Sequence, residues 1–320
     1  MGKIMNKIIL LAVAAIFAVS AQAAEKESQS KTKVEVKKKI QNDEVDQLIT
    51  NRKLRAETGS KSKLSVSTAF TYNGGTIKDP ASKFRPNIVA GANVPTFSSL
   101  SGSIAGKYRL GVKDSLSAGF GLRVFQPFHE APDKSTVETP GGKSVERGDV
   151  YNPYVTFTHI DRIGGLQSVS KVTTTALTTD FSRQLGYLGQ VDLTQIFLKD
   201  IGTTGASVGV LFGTGFSMFD KFDEASQAAS SDYWVGAYPF FEYVINDTLN
   251  FRTISGVWVY EHIRNESRAL SFSKNKIYQS VGLGISVSRN VYLYPNVQFL
   301  PEDITGDRTN VAITANVNLF

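Results

Sequence analysis

The sequence holds no cysteine, only three histidines and, beyond its leader, no apolar run approaching a membrane helix. Each shortage excludes a class. Without cysteine there is no disulfide scaffold and no lipoprotein anchored through an N-terminal Cys. His129, His159 and His262 lie far apart, so no spacing suits zinc, and no metal or cofactor is expected. A spanning helix needs ~20 apolar residues, which the mature chain never supplies. No Gly-rich loop opens a helix, so a phosphate cradle of that kind is absent. The formal charge of +6 is modest, and much of the excess sits near the mature N-terminus. No basic stripe with interleaved aromatics appears, so nucleic acid is not an expected partner.

What is present begins with a leader. Lys3 and Lys7 precede an apolar core from Ile8 to Val19, and Ala21-Gln22-Ala23 offers a small-residue cleavage site. Residues 1–23 therefore read as a secretory signal peptide cut before Ala24. The competing reading is a membrane anchor, for which the apolar run is short. Residues 24–61 read as a charged periplasmic tail ending in a short helix over 42–58, which either stays mobile beside the pore mouth or blocks the lumen. In that helix Asn42 or Asp43 caps, acids precede Arg52, Lys53 and Arg55, and Gly59 stops it. Val45, Leu48 and Ile49 give it a thin apolar stripe.

From residue 62 the period becomes two. Leu64, Val66, Thr68, Phe70 and Tyr72 alternate with small and polar residues, and Leu116, Ala118, Phe120, Leu122 and Val124 repeat the pattern. Twelve such segments are expected: 63–72, 98–111, 115–126, 150–160, 166–178, 186–198, 206–218, 234–245, 249–262, 277–287, 291–299 and 310–320. The connections alternate between long and short. This predicts an all-β fold, a closed antiparallel transmembrane β-barrel over residues 62–320, with tight turns in the periplasm and long loops outside. The chain ends on a strict alternation, Val311 to Phe320, as a last strand must if it pairs with the first. Pro153 falls near a strand end, whereas Pro239 and Pro295 fall inside strands, where bulges or shifted strand limits are expected. A secreted β-sandwich would share the alternation. Strand length, loop asymmetry and the terminal strand favour the barrel.

On its leader, its strand grammar over 62–320 and its terminal Phe320, the chain resembles the outer-membrane β-barrel proteins of Gram-negative bacteria. The resemblance implies the outer membrane as location, its lipid as surroundings and the barrel insertion machinery as a partner reading the C-terminal strand. The family usually has apolar residues two and four positions before the end, whereas this chain has Asn318 and Asn316. The stretch ITNRKLRAETGSKSK, with RPNI at Arg85 to Ile88, is similar to uncharacterised outer-membrane proteins of predatory bacteria.

With apolar residues facing lipid, the other face meets the lumen. That assigns Lys107, Arg109, Arg123, Asp192, Glu242 and Arg252 as pore-lining, together with Gln190, Thr194, Asn296 and Gln298. Symmetry about the turn at Asn246–Thr248 sets Glu242 opposite Arg252, an expected ion pair. Lys107, Arg109 and Arg123 lean the lumen toward weak anion preference. Tyr72, Tyr151, Tyr187, Tyr233 and Trp234 suggest an outer aromatic belt, and Tyr108, Phe197, Tyr243, Phe251 and Tyr292 an inner one.

Gly205-Ala206-Ser207-Val208-Gly209 fits G-x-S-x-G but begins a strand rather than a strand-to-helix elbow. Asp220, Asp223 and Glu224 with His262 form a rim set to compare with barrel proteases. The expected function is a porin-like channel for small solutes, not an enzyme. A structural or adhesive barrel with a filled lumen is the alternative, and a barrel hydrolase a lesser one. Self-association into a homo-oligomer stays open.

Overall fold

The computed structural model describes residues 46, 48–58, 61–88, 92–129, 136–138 and 144–319. The expected signal peptide, the tail at 24–41 and the facing of Phe320 lie outside the described residues. In chain order the elements are α1 (Arg52–Thr58), β1 (Leu64–Thr76), β2 (Phe84–Asn87), β3 (Ala92–Phe97), β4 (Ser99–Arg109), β5 (Asp114–Phe125), β6 (Thr136–Glu138) and β7 (Ser144–Glu146). Then follow β8 (Gly148–Ile163), β9 (Leu166–Ala176), α2 (Asp180–Gln184), β10 (Tyr187–Asp200), β11 (Ala206–Phe219), α3 (Glu224–Ala228) and β12 (Ser231–Val244). The last are β13 (Leu249–Gly256), β14 (Trp258–Ile263), β15 (Phe272–Lys274), β16 (Tyr278–Ser288), β17 (Val291–Phe299) and β18 (Asn310–Leu319).

Every wall strand pairs antiparallel with its neighbours, and β1 pairs with β18, so the sheet closes. With β13 and β14 counted as one interrupted strand, the wall has twelve. Closure is what lipid demands, since each backbone N–H and C=O must find a partner inside the protein. Among the described residues no helix is long and apolar enough to cross a membrane; the strands do the crossing. The two faces separate as the alternation requires. Leu193, Phe212, Val235, Leu283 and Ile313 point outward and remain exposed in the isolated chain, Ile313 by 49%. Residues one register over point inward.

Short turns gather at one end: 110–113, 164–165, 201–205, 245–248 and 289–290. At Gly164-Gly165 both residues take positive φ, +57° and +82°. A two-residue hairpin matched to the strand twist needs that backbone, which glycine adopts without a Cβ clash. The long connections gather at the other end. There β2 and β3 form a hairpin that leans on the barrel: Arg85 donates to Gln298 Oε1 (3.0 Å) and Asn310 Nδ2 donates to Pro86 O (2.9 Å).

Two of the three prolines sit at bulges. Between β5 and β8 the register slips between Gly119↔Tyr154 and Gly121↔Tyr151, across Asn152-Pro153, with Asn152 at φ +48°. Pro239 keeps register with Val210 on one side. On the other, the ladder passes from Phe240↔Ile254 to Ala237↔Trp258, so three residues face Tyr238 and Pro239. The missing proline donor thus meets the break between β13 and β14. Pro295 departs from expectation. It pairs with Ile313, while the β16 side lapses between Gly282↔Asn296 and Ile285↔Leu293 without a slip.

The first bulge and simple parity correct the aromatic assignments. Tyr151 turns inward under Arg123, whose guanidinium lies 4.9 Å from the ring centre. Trp234 points inward toward Gly215 and Asp192, and Tyr292 is buried in the lumen. Tyr108 and Tyr243 stay outward.

A charge on the outward face tests the arrangement. Leu193→Arg should lower the stability of the barrel in vesicles by about 2–4 kcal/mol, if Leu193 lies near the bilayer midplane. Reversible unfolding in denaturant would measure it.

Candidate functional site: a docked helix in the lumen

Of the two expected positions for the short helix, the lumen is the one it takes. Of the expected helix over 42–58, Asp46 and Leu48 are helical, Ile49–Asn51 are not, and the helix resumes as α1, which packs inside the barrel against β16, β17 and β18; the expected caps at Asn42 or Asp43 and the stop at Gly59 lie outside the described residues. Two groups cause the break. Asn51 Oδ1 accepts from Leu54 N (2.9 Å), an N-cap for α1. Gln167 on β9, fully buried, accepts from both Thr50 N and Asn51 N (2.9 and 3.0 Å), which takes those amides out of any continuous helix.

The wall also finishes the other end. Lys107 Nζ donates to Thr58 O, and Asn318 Nδ2 donates to Ala56 O. A cation against the last carbonyls suits the helix dipole. These contacts satisfy acceptors that a buried helix end would otherwise leave bare.

Apolar packing holds the side of the segment. Ile49 and Leu54 join Ile160, Val169, Ile196, Leu198 and Phe240 in one buried cluster. All five wall residues stand on the inward register, where the strand pattern elsewhere places polar groups. Burying Ile49 and Leu54 contributes about 1.5–3 kcal/mol each before entropy is charged. Above the cluster, Lys53 pairs with Glu57 one turn on, and Lys171 Nζ lies 3.8 Å from Glu57. Burial pushes the Glu57 carboxyl up, but the lysine charges outweigh it and hold it at about 2, against an ordinary 4.5. At the periplasmic end Asp46 receives Arg289 (2.8 Å) and Lys61 (2.9 Å).

The six sequence-predicted residues all stand on the inward register, yet they do not line one clear passage. Lys107 is tied to α1. Arg109 sits at the periplasmic rim, with its NH1 near Val112 O at 3.4 Å. Glu242 and Arg252 are register partners, paired and buried as the turn symmetry implied. The same carboxylate accepts from Asn51 Nδ2 at 2.8 Å, so this pair also holds the helix. Arg123 and Asp192 belong to the outer half. Arg123 pairs with Asp149 (3.4 Å), and Asp192 accepts from Gln190 Nε2 (2.6 Å). The sequence reading missed Gln167, Lys171 and Asn318, and with them the docking role of Lys53 and Glu57. The signal available was the apolar run of inward positions at 160, 169, 196, 198 and 240.

Between the helix top and the wall lies a cavity of about 360 Å³, lined by Ala56, Glu57, Lys107, Lys171 and rows of Ser and Thr hydroxyls. Thr156 and Thr173 hydroxyls meet across β8 and β9 at 2.9 Å. Elsewhere the sequence candidates are occupied. Ser207 donates to Asp200 Oδ1 (3.0 Å). His262 Nδ1 faces Asp232 (2.7 Å), and its ring stacks on Tyr233 rather than meeting Asp220 or Glu224. Asp223 caps α3 through Ser226 N. Among the described residues no His, Cys, Asp and Glu group could hold a metal.

No family model matches this sequence, and no curated protein does. Solved structures do. An outer membrane channel from Pseudomonas putida F1 superposes with a TM-score of 0.50 at 12% identity, over 82% of this chain and 97% of that one. The chain has the fold of an outer-membrane β-barrel. The KdgM porin aligns with a TM-score of 0.41 at 8% identity, over 79% of this chain and 98% of that one. Salmonella typhi OmpF, solved with daunomycin, aligns at 0.37 and 7%, over 80% and 97%. An outer-membrane barrel belongs in the cell outer membrane, embedded in its lipid.

Docking of α1 in this barrel should depend on pH through Glu57. A carboxyl held below its ordinary value stabilises the docked state fully above about pH 4.5 and loses that contribution as pH falls toward 2. Amide hydrogen exchange across residues 50–58 should quicken in that window. Glu57→Gln should remove Glu57's share of the dependence, leaving the share of Asp46, and weaken docking by about 1–3 kcal/mol. Trypsin cleavage within α1 at neutral pH would report the weakening.

Proposed function

We propose that this barrel is a channel for small polar solutes whose lumen is closed at its periplasmic half by α1. The observation that carries the reading is the hydroxyl-lined cavity above the helix. Ser103, Ser117, Thr156, Thr173 and Thr175 present polar groups to open space rather than to packed apolar side chains. A barrel built only as scaffold would fill that space, as the apolar cluster below fills its own. Twelve strands enclose a bore between the side-chain-filled and the widely aqueous classes, so removing one helix changes the passage substantially.

Release of α1 also changes the charge of the wall. Lys107 and Lys171 now face a helix carboxyl terminus and Glu57. With the helix gone, both are left to the lumen, which supports a weak anion preference in the open state. The second reading, a filled structural barrel, draws on the polar contacts at both ends of α1, which fix it in place.

Planar-bilayer recording of the refolded full chain and of a variant lacking residues 24–58 separates the two. The channel reading expects small or infrequent openings from the full chain and steady conductance from the variant. It also expects a reversal potential in a potassium chloride gradient that favours chloride, shifting toward potassium in Lys107→Glu/Lys171→Glu. A silent variant that shows heat-modifiable migration would overturn the proposal.

A further inference from the structure

The periplasmic mouth holds a second cavity, of about 400 Å³, between α1 and the ends of β10, β11, β12 and β13. Arg52 and Arg55 line it from the helix, one turn apart, and Ser207, Thr203 and Asn250 line it from the wall. Arg52 is engaged at the rim, donating to Asn246 O at 2.8 Å. Arg55 is different. Its Nε is buried without a hydrogen-bond partner, and among the described residues no carboxylate pairs with it. A guanidinium offers five donors in a fixed fork, and a buried donor left without an acceptor is costly.

The acids in the cavity are already committed. Asp200 accepts from Ser207 Oγ (3.0 Å), Gln167 Nε2 (3.1 Å), Thr50 Oγ1 (3.3 Å) and Arg162 (3.4 Å). Glu242 takes Arg252, Asn51 Nδ2 (2.8 Å) and Asn250 Nδ2 (3.3 Å). Around Arg55 the charge is therefore one-sided. Arg52 and Arg289 are close enough to disfavour its charge, and Asp46, the acid that favours it, is shared by Arg289 and Lys61.

We propose that this mouth cavity binds a small solute bearing a phosphate-like dianion, held bidentately by the Arg55 guanidinium. The planar fork matches tetrahedral oxyanion edges, and the surplus of cations favours two negative charges over one. The volume exceeds that of a bare ion and falls in the range of small organic ligand sites. Ser207 and Asn250 already give their donors to Asp200 and Glu242, so Arg55 is the anchor, and the solute sits between the helix and the wall. The inference stands on the cavity alone and does not require that the barrel conduct.

The test is calorimetric titration of the refolded full-length chain in detergent with inorganic phosphate, at ionic strength held constant with sodium chloride. Saturable binding at one site is expected, with acetate at least tenfold weaker. Arg55→Gln and Arg55→Lys should each weaken phosphate at least tenfold, while Arg183→Gln on the outer helix α2 should leave it unchanged. Heat-modifiable migration verifies refolding, and Arg55→Lys, which keeps the charge but loses the fork, decides the matter if the Gln variant does not refold. Absence of saturable phosphate binding, equal binding of acetate, or binding undiminished in the refolded Arg55 variants would each overturn the proposal.

Discussion

Everything in this molecule follows from one requirement: a polypeptide in hydrocarbon must find all its backbone hydrogen-bond partners within itself. Strands can meet it only by forming a ring, and the seam between β1 and β18 is where the ring is made. Once closed, the ring encloses a volume that its own side chains must either fill or leave to water. This chain does both. Apolar residues turn inward along the periplasmic half of β8 to β12 and receive Ile49 and Leu54. Hydroxyls line the level above.

The docked segment combines two kinds of stabilisation. Its apolar contacts favour burial without regard to direction, and its polar contacts fix the register. Gln167, Asn51 and Glu242 position the start of α1, while Lys107 and Asn318 receive its end. The Glu242–Arg252 pair is therefore both a cross-strand wall contact and a support for the helix. Leaving Arg252 buried without its carboxylate would be more costly than the loss of an exposed pair.

Much of the wall could be read from sequence because a strand's facing depends only on alternate residues. The strand limits fall close to the expected ones, and the Glu242–Arg252 partnership follows from counting outward from a tight turn. Trp234 neighbours Tyr233 on β12, and adjacent strand residues cannot both face lipid, so alternation alone places it inward. Tyr151 was harder, because the slip at Asn152-Pro153 reverses parity beyond it. The helix site was not legible locally. Gln167 lies 117 residues from Thr50, and Asn318 lies 262 from Ala56. No window of sequence contains both partners of either bond, so the only local sign of the break at Ile49–Asn51 was Asn51 itself, a capping residue three positions before Leu54.

The bond from Asn318 to Ala56 joins nearly the first described residue of the chain to nearly the last. A segment that precedes every wall strand thus completes its contacts only when the final strand is present to receive its end. Contacts so distant along the chain carry a large loop-closure cost and form late. Until then Ile49 and Leu54 can rest on β8 to β12, but the end of α1 has no seat on the closing strand. Seating of the end of α1 on that strand is a natural marker that the ring has been completed.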